Sequence, residues 1–200
     1  MNKNNEINHA LKDFTIGNKE RAYKKLKKIF NKNKDDYQLR FNIAVIEQSL
    51  NLNEEAKTNY IFLIKNNSNI KAMVNLYQLY IKEDNFLDAL ELINKIIEIN
   101  NNLEKVIKDK AFILFKLNRN EESIKICEDL LLDNKDLECM NILGLNYFTM
   151  NKMNKAEIIL KEALSIDGKS PLILNSLGRI YHEKRDSTNA EKYLVRAYNI

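Results

Sequence analysis

The sequence has no tryptophan, one proline, four glycines, two cysteines and two histidines in 200 residues. Each shortage excludes something. So few helix breakers, with no segment alternating apolar and polar residues as a half-buried strand does, predict an all-helix chain. Cys127 and Cys139 lack CxxC spacing and the company a disulfide framework needs. Both read as reduced thiols, with Cys127 on an inward, core-packing helix position. Neither histidine stands in HExxH, and Gly17, Gly144, Gly168 and Gly178 form no phosphate-cradling loop. No catalytic constellation, cofactor site or metal site is read, and the chain is expected not to be an enzyme. His182 and Glu183 read as a surface pair.

Long apolar runs are absent as well. No stretch approaches the ~18 apolar residues of a membrane span, and Met1 to Ala10 lack the apolar core of a signal peptide. A cytoplasmic location with no membrane partner is expected. The 32 basic and 28 acidic residues leave a net charge of +4. They are interspersed as on solvated helix faces, so no nucleic-acid partner is expected.

What the sequence does have is internal repetition. Leu143, Gly144 and Tyr147 precede Ala156, Leu160, Ala163 and Leu164; Leu177, Gly178 and Tyr181 precede Ala190, Leu194 and Ala197. The offset is 34 residues for both Gly and Ala, the mark of a repeat array. Projected backwards, the Ala position recurs at Ser123, Ala89, Ala56 and Ala22, and its small partner at Ala111, Tyr77, Ala44 and Ala10. A small residue facing an alanine lets two helices approach to roughly 8 to 10 Å. Tyr77 is the misfit, expected to splay its helices or turn its phenol to the surface.

These residues resemble the signature of the tetratricopeptide repeat. The resemblance implies an all-α, right-handed α-solenoid of about six antiparallel helix-pair repeats. They run approximately 3–36, 37–69, 70–103, 104–136, 137–170 and 171–200, as a single array over 1–200, with the N-terminal part of a longer protein as the alternative expectation. At the turn within each pair, where a left-handed residue is favoured, stand Gly17, Asn51, Asp84, Asn118, Asn151 and Arg185. Between pairs, Asn66 to Asn69, Asn100 to Asn102 and Asp167 to Ser170 read as stops and caps, Ser170 capping a helix that begins at Pro171. The first repeat fits least. His9 and Asp13 take places where the family buries apolar residues, so its first helix is expected to sit rotated or loosely docked. Lys24, Lys25, Lys28 and Lys32 read as a solvated outer face of its second helix.

In this family the first helices line a concave groove. Two residues before the small position stand Asn8, Asn42, Asn75, Asp109, Ile142 and Ser176. The first four resemble the asparagine ladder by which O-linked N-acetylglucosamine transferases of this family hold a peptide backbone, with Asp109 replacing Asn. Asn141 and Asn175 continue a displaced row. Phe41, Val45, Phe112, Phe115 and Phe148 are expected beside it as apolar anchors. The family's chaperone-tail clamp is not present, since Phe112 follows Lys108 where Asn is required. The resemblance implies a non-enzymatic scaffold holding a segment of another protein in its groove. The alternative is a substrate-presenting arm of a glycosyltransferase or sulfotransferase whose catalytic domain lies beyond Ile200. Leu194, Val195 and Tyr198 are expected to lie uncovered on the last helix, a surface for self-association.

Overall fold

The protein is described here by a computed structural model of residues 3–132 and 134–200. Among them the regular structure is helical throughout. The helices are α1 (Lys3–Thr15), α2 (Lys19–Phe30), α3 (Tyr37–Ser49), α4 (Asn53–Asn67), α5 (Ile70–Lys82), α6 (Phe86–Ile99), α7 (Glu104–Lys116), α8 (Asn120–Leu131), α9 (Leu137–Thr149), α10 (Met153–Ile166), α11 (Pro171–Glu183) and α12 (Ser187–Tyr198). Antiparallel pairs follow one another in an all-α solenoid. The chain forms two compact units, Met1–Ile99 and Asn100–Ile200. Each helix packs on the next within α1–α6 and within α7–α12; in the second unit α7 also touches α9, and α9 touches α11.

One turn is repeated six times. Gly17, Asn51, Asp84, Asn118, Asn151 and Arg185 all have positive φ, between 55° and 90°. The N–H of the next residue reaches back to a carbonyl of the preceding helix: Asn18 to Asp13, Leu52 to Glu47, Asn85 to Tyr80, Arg119 to Leu114, Lys152 to Tyr147 and Asp186 to Tyr181. This pairing is the Schellman motif, which satisfies orphan carbonyls at the helix end. Side-chain caps serve mainly the first helix of a pair. Asp36, Asn69 and Asp136 accept from the backbone N–H of Leu39, Ala72 and Cys139. Ser170 occupies the cap position before Pro171 without a side-chain bond.

The small residues do bring helices together. Ala10, Ala22, Ala44, Ala56, Ala89, Ala111, Ser123 and Ala156 are fully buried. The expectation for α1 fails, because Ala10 is seated as deeply as its counterparts and Ile7, Leu11 and Phe14 pack on the same core. Asp13 is buried too, held by Lys25 at 2.6 Å and Arg21 at 3.4 Å. Of the two expectations for Tyr77, the outward phenol fails: its side chain is fully buried. Burying its ring removes a large apolar area from water, which favours the inward rotamer.

Candidate functional site

In the first unit, α1 and α3 enclose an open cleft of about 460 Å³ lined by Asn4, Ile7, Asn8, Leu11, Gln38 and Asn42 among others. Helical spacing explains the arrangement: Asn4, Asn8 and Leu11 recur on one face of α1, and Gln38 and Asn42 lie one turn apart on α3. Asn8 is exposed and its side chain makes no hydrogen bond among the described residues. Asn42 is half-buried and accepts from Gln38 Nε2 at 3.1 Å, leaving its amide N–H groups for another partner. Asp36 closes one side of the cleft, 2.8 Å from Lys3. Burial opposes its charge, yet the bonds from Lys3 and from the Leu39 N–H prevail and hold its pKa below the ordinary value.

The third asparagine of the row is engaged differently. Asn75 Nδ2 donates to Tyr60 Oη at 3.0 Å, and Tyr60 Oη donates to Gln48 Oε1 at 2.9 Å. Tyr60 is fully buried, and that burial pushes its pKa up to about 12. Phe41 packs against it, ring centroids 6.1 Å apart, with Phe41 and Val45 both half-buried.

In the second unit Asp109 is buried and lies 3.1 Å from Lys105. Asn141 is only 4% exposed and accepts from Ser176 Oγ at 2.7 Å, so its amide oxygen ties α9 to α11 rather than facing a groove. Asn175 is exposed. Phe112, Phe115 and Phe148 are half-buried, with the Lys116 ammonium 5.8 Å from the Phe112 centroid and the Arg179 guanidinium 5.7 Å from that of Phe148. Of the expected row, Asn8 and Asn42 are brought to one open surface.

Residues that the sequence reading passed over are Asn4, Leu11 and Gln38 in the cleft, and Glu47 behind it. Glu47 is fully buried and accepts from Tyr23 Oη at 3.1 Å, Asn59 Nδ2 at 2.7 Å and Lys27 Nζ at 3.0 Å. Burial works against the Lys27 charge, but the Glu47 carboxylate outweighs it and raises the Lys27 pKa. The available signal was register, since Glu47 and Asp13 occupy the place of Tyr147 and Tyr181 in the C-terminal repeats.

A family model described as tetratricopeptide repeat matches residues 137–170 and 172–200. Those two segments, which hold the last two helix pairs, are similar to tetratricopeptide repeats. Over 58 residues, 29% of its length, it is 36% identical to the anaphase-promoting complex subunit CDC16 of Saccharomyces cerevisiae, and the match spans 7% of that protein. The structure aligns over 98% of this chain and 79% of a tetratricopeptide repeat protein from Parabacteroides merdae, with TM-score 0.91 and 15% identity. MamA from Desulfovibrio magneticus gives TM-score 0.70 at 16% identity, covering 82% of this chain and 94% of its own. YrrB, described as a TPR protein with an unusual peptide-binding site, gives 0.63 at 18%, covering 87% and 91%. At these identities the structural likeness is one of fold. No described helix is long and apolar enough to cross a membrane.

Proposed function

We propose that this protein is a non-enzymatic interaction scaffold that holds an extended segment of another protein in the α1–α3 cleft. The observation that carries the reading is the meeting of Asn8 and Asn42 on one open surface floored by Ile7 and Leu11. A side-chain amide offers both an acceptor and donors, so two of them in a row can pair with the backbone of an extended peptide irrespective of its sequence. The apolar floor supplies area for alternate side chains. In the second unit the half-buried Phe112, Phe115 and Phe148 serve as apolar contacts and the exposed Asn175 as a polar one.

The test is selection from a random peptide display library on the intact chain, followed by measurement of the selected peptides against the Asn8→Ala/Asn42→Ala double variant. Loss of affinity in the variant supports the reading. Equal affinity for both proteins sinks it.

Self-association through α12 is a second reading, favoured by the exposure of Leu194, Val195 and Tyr198, at 40%, 49% and 91%. Such a contiguous apolar surface is a common mark of an interface. Sedimentation across a concentration series tests it, and a mass that stays monomeric at every concentration rules it out.

A further inference from the structure

The net charge of +4 conceals a strong polarity. Residues 1–34 hold ten basic and three acidic side chains, whereas residues 35–200 hold 22 basic and 25 acidic ones. The whole positive excess therefore sits on α1, α2 and the turn that follows them. Part of it is neutralised internally: Lys25 and Arg21 pair with Asp13, Lys27 with Glu47 and Lys3 with Asp36. Lys24, Lys28 and Lys32 are exposed and meet no carboxylate among the described residues. Lys24 and Lys28 stand one turn apart, so their ammoniums form a row of like charge that is costly to leave without counter-charges.

Lys28 of this row lines a second open cavity, of about 670 Å³, between α1 and α2, and Lys24 stands one turn away outside its lining. Lys25, Lys28 and Lys32 line it from α2 and beyond, His9 and Glu6 from α1, and half-buried Ile29 contributes an apolar patch. It is separate from the α1–α3 cleft, using the face of α1 that carries Glu6 and His9 rather than Asn4, Asn8 and Leu11.

We propose that this basic groove docks an acidic peptide segment of a partner protein, with one apolar side chain of the segment seated over Ile29, flanking carboxylates on Lys28 and Lys32, and Lys24 meeting the segment where it leaves the groove. Charge complementarity sets the sign of the partner. The lining sets its class. No Phe, Tyr or Trp lines the groove as a platform for nucleic-acid bases, and its one aromatic ring, His9, lies 2.9 Å from the Lys25 ammonium. A bilayer takes up protruding apolar side chains, whereas Ile29 is recessed among ammoniums and suits a single inserted side chain.

The test uses the full chain and a fluorescein-labelled synthetic peptide of aspartates and glutamates with one central leucine, followed by anisotropy. The same peptide with lysine for every acid, polyuridylate RNA and phosphatidylserine vesicles serve as comparisons. Wild type is expected to bind the acidic peptide more tightly than any comparison, with affinity falling about tenfold on moving from low to physiological salt. Lys24→Glu/Lys28→Glu/Lys32→Glu, with circular dichroism matching wild type, is expected to abolish binding; the triple Gln variant, which removes charge without reversing it, is expected to weaken it. Asn8→Ala/Asn42→Ala is expected to leave it unchanged, which separates this surface from the cleft. Absence of acidic-peptide binding, equal binding by the charge-reversed variant, or tighter binding of RNA or vesicles would overturn the proposal.

Discussion

Gly144 faces the branch point of Leu160 so closely that a β-carbon on it would stand 2.6 Å from Leu160 Cγ. Gly178 stands in the same relation to Leu194, also at 2.6 Å. The two sites differ in freedom, because Leu160 is fully buried and Leu194 is 40% exposed. Leu194 can swing outward, whereas Leu160 is enclosed by the core. Gly144→Ala is therefore expected to destabilise the protein by about 1 to 3 kcal/mol, despite the better helix propensity of alanine. Gly178→Ala should be neutral or slightly stabilising, since that propensity is worth up to about 1 kcal/mol. Urea unfolding of the two variants checks the contrast.

Arg185 adopts φ 59°, the conformation that Asn51, Asn118 and Asn151 adopt at equivalent turns. A β-carbon in this region costs about 1 kcal/mol, less for asparagine. Arg185→Gly is expected to stabilise the protein by roughly 0.5 to 1 kcal/mol, and Asn151→Gly by less. Thermal unfolding midpoints will rank them.

The buried Glu47 carboxylate has three donors, from Tyr23, Lys27 and Asn59. Glu47→Ala removes the acceptor all three share and leaves a cavity, at an expected cost of about 3 kcal/mol. Tyr23→Phe removes one neutral donor and should cost about 1 kcal/mol. A reversed order in denaturant unfolding would show that the cluster is not held by the carboxylate.

Glu157 is gripped by Lys161 at 2.6 Å, by Lys184 and by Tyr181 Oη at 2.7 Å. The Lys161 bond, followed by those from Lys184 and Tyr181, lowers its pKa from 4.5 to about 2. Folding favours the charged form, so the stabilisation is complete above the unfolded-state value and is lost as pH falls from about 4.5 towards 2. Glu157→Gln should be less stable than wild type at neutral pH by about 1 kcal/mol, a figure kept small because solvent reaches the pair. The difference should shrink through that acid window. A gap that stays constant with pH would mean the carboxylate charge is not what matters.

The asparagines of the row should separate by function. Asn8→Ala and Asn42→Ala are expected to weaken binding of a selected peptide by about 1 kcal/mol each with little effect on folding. Asn75→Ala and Asn141→Ala each strand a partner, Tyr60 or Ser176, and should instead lower stability by about 1 kcal/mol or more. Parallel titration and unfolding of the four variants gives the partition.

Local chemistry accounts for what the sequence by itself determined: the 34-residue period, the helix pairs, and the six left-handed turns from Gly17 to Arg185. A helical face needs only residues three and four apart, and a Schellman turn needs only one residue that tolerates positive φ. Tertiary structure decided the rest. Tyr77 goes inward, Asp13 and Glu47 are buried with their cations, and Asn75 and Asn141 bond to Tyr60 and Ser176 while Asn8 and Asn42 stay in an open cleft. Six of these seven stand out from positions along a single helix, yet their fates depend on what a neighbouring helix brings, from 12 to 35 residues away where a bond forms. An asparagine's own sequence context is the same whether its amide meets a buried hydroxyl or solvent, so only the packing of one helix on the next could separate binding positions from structural ones.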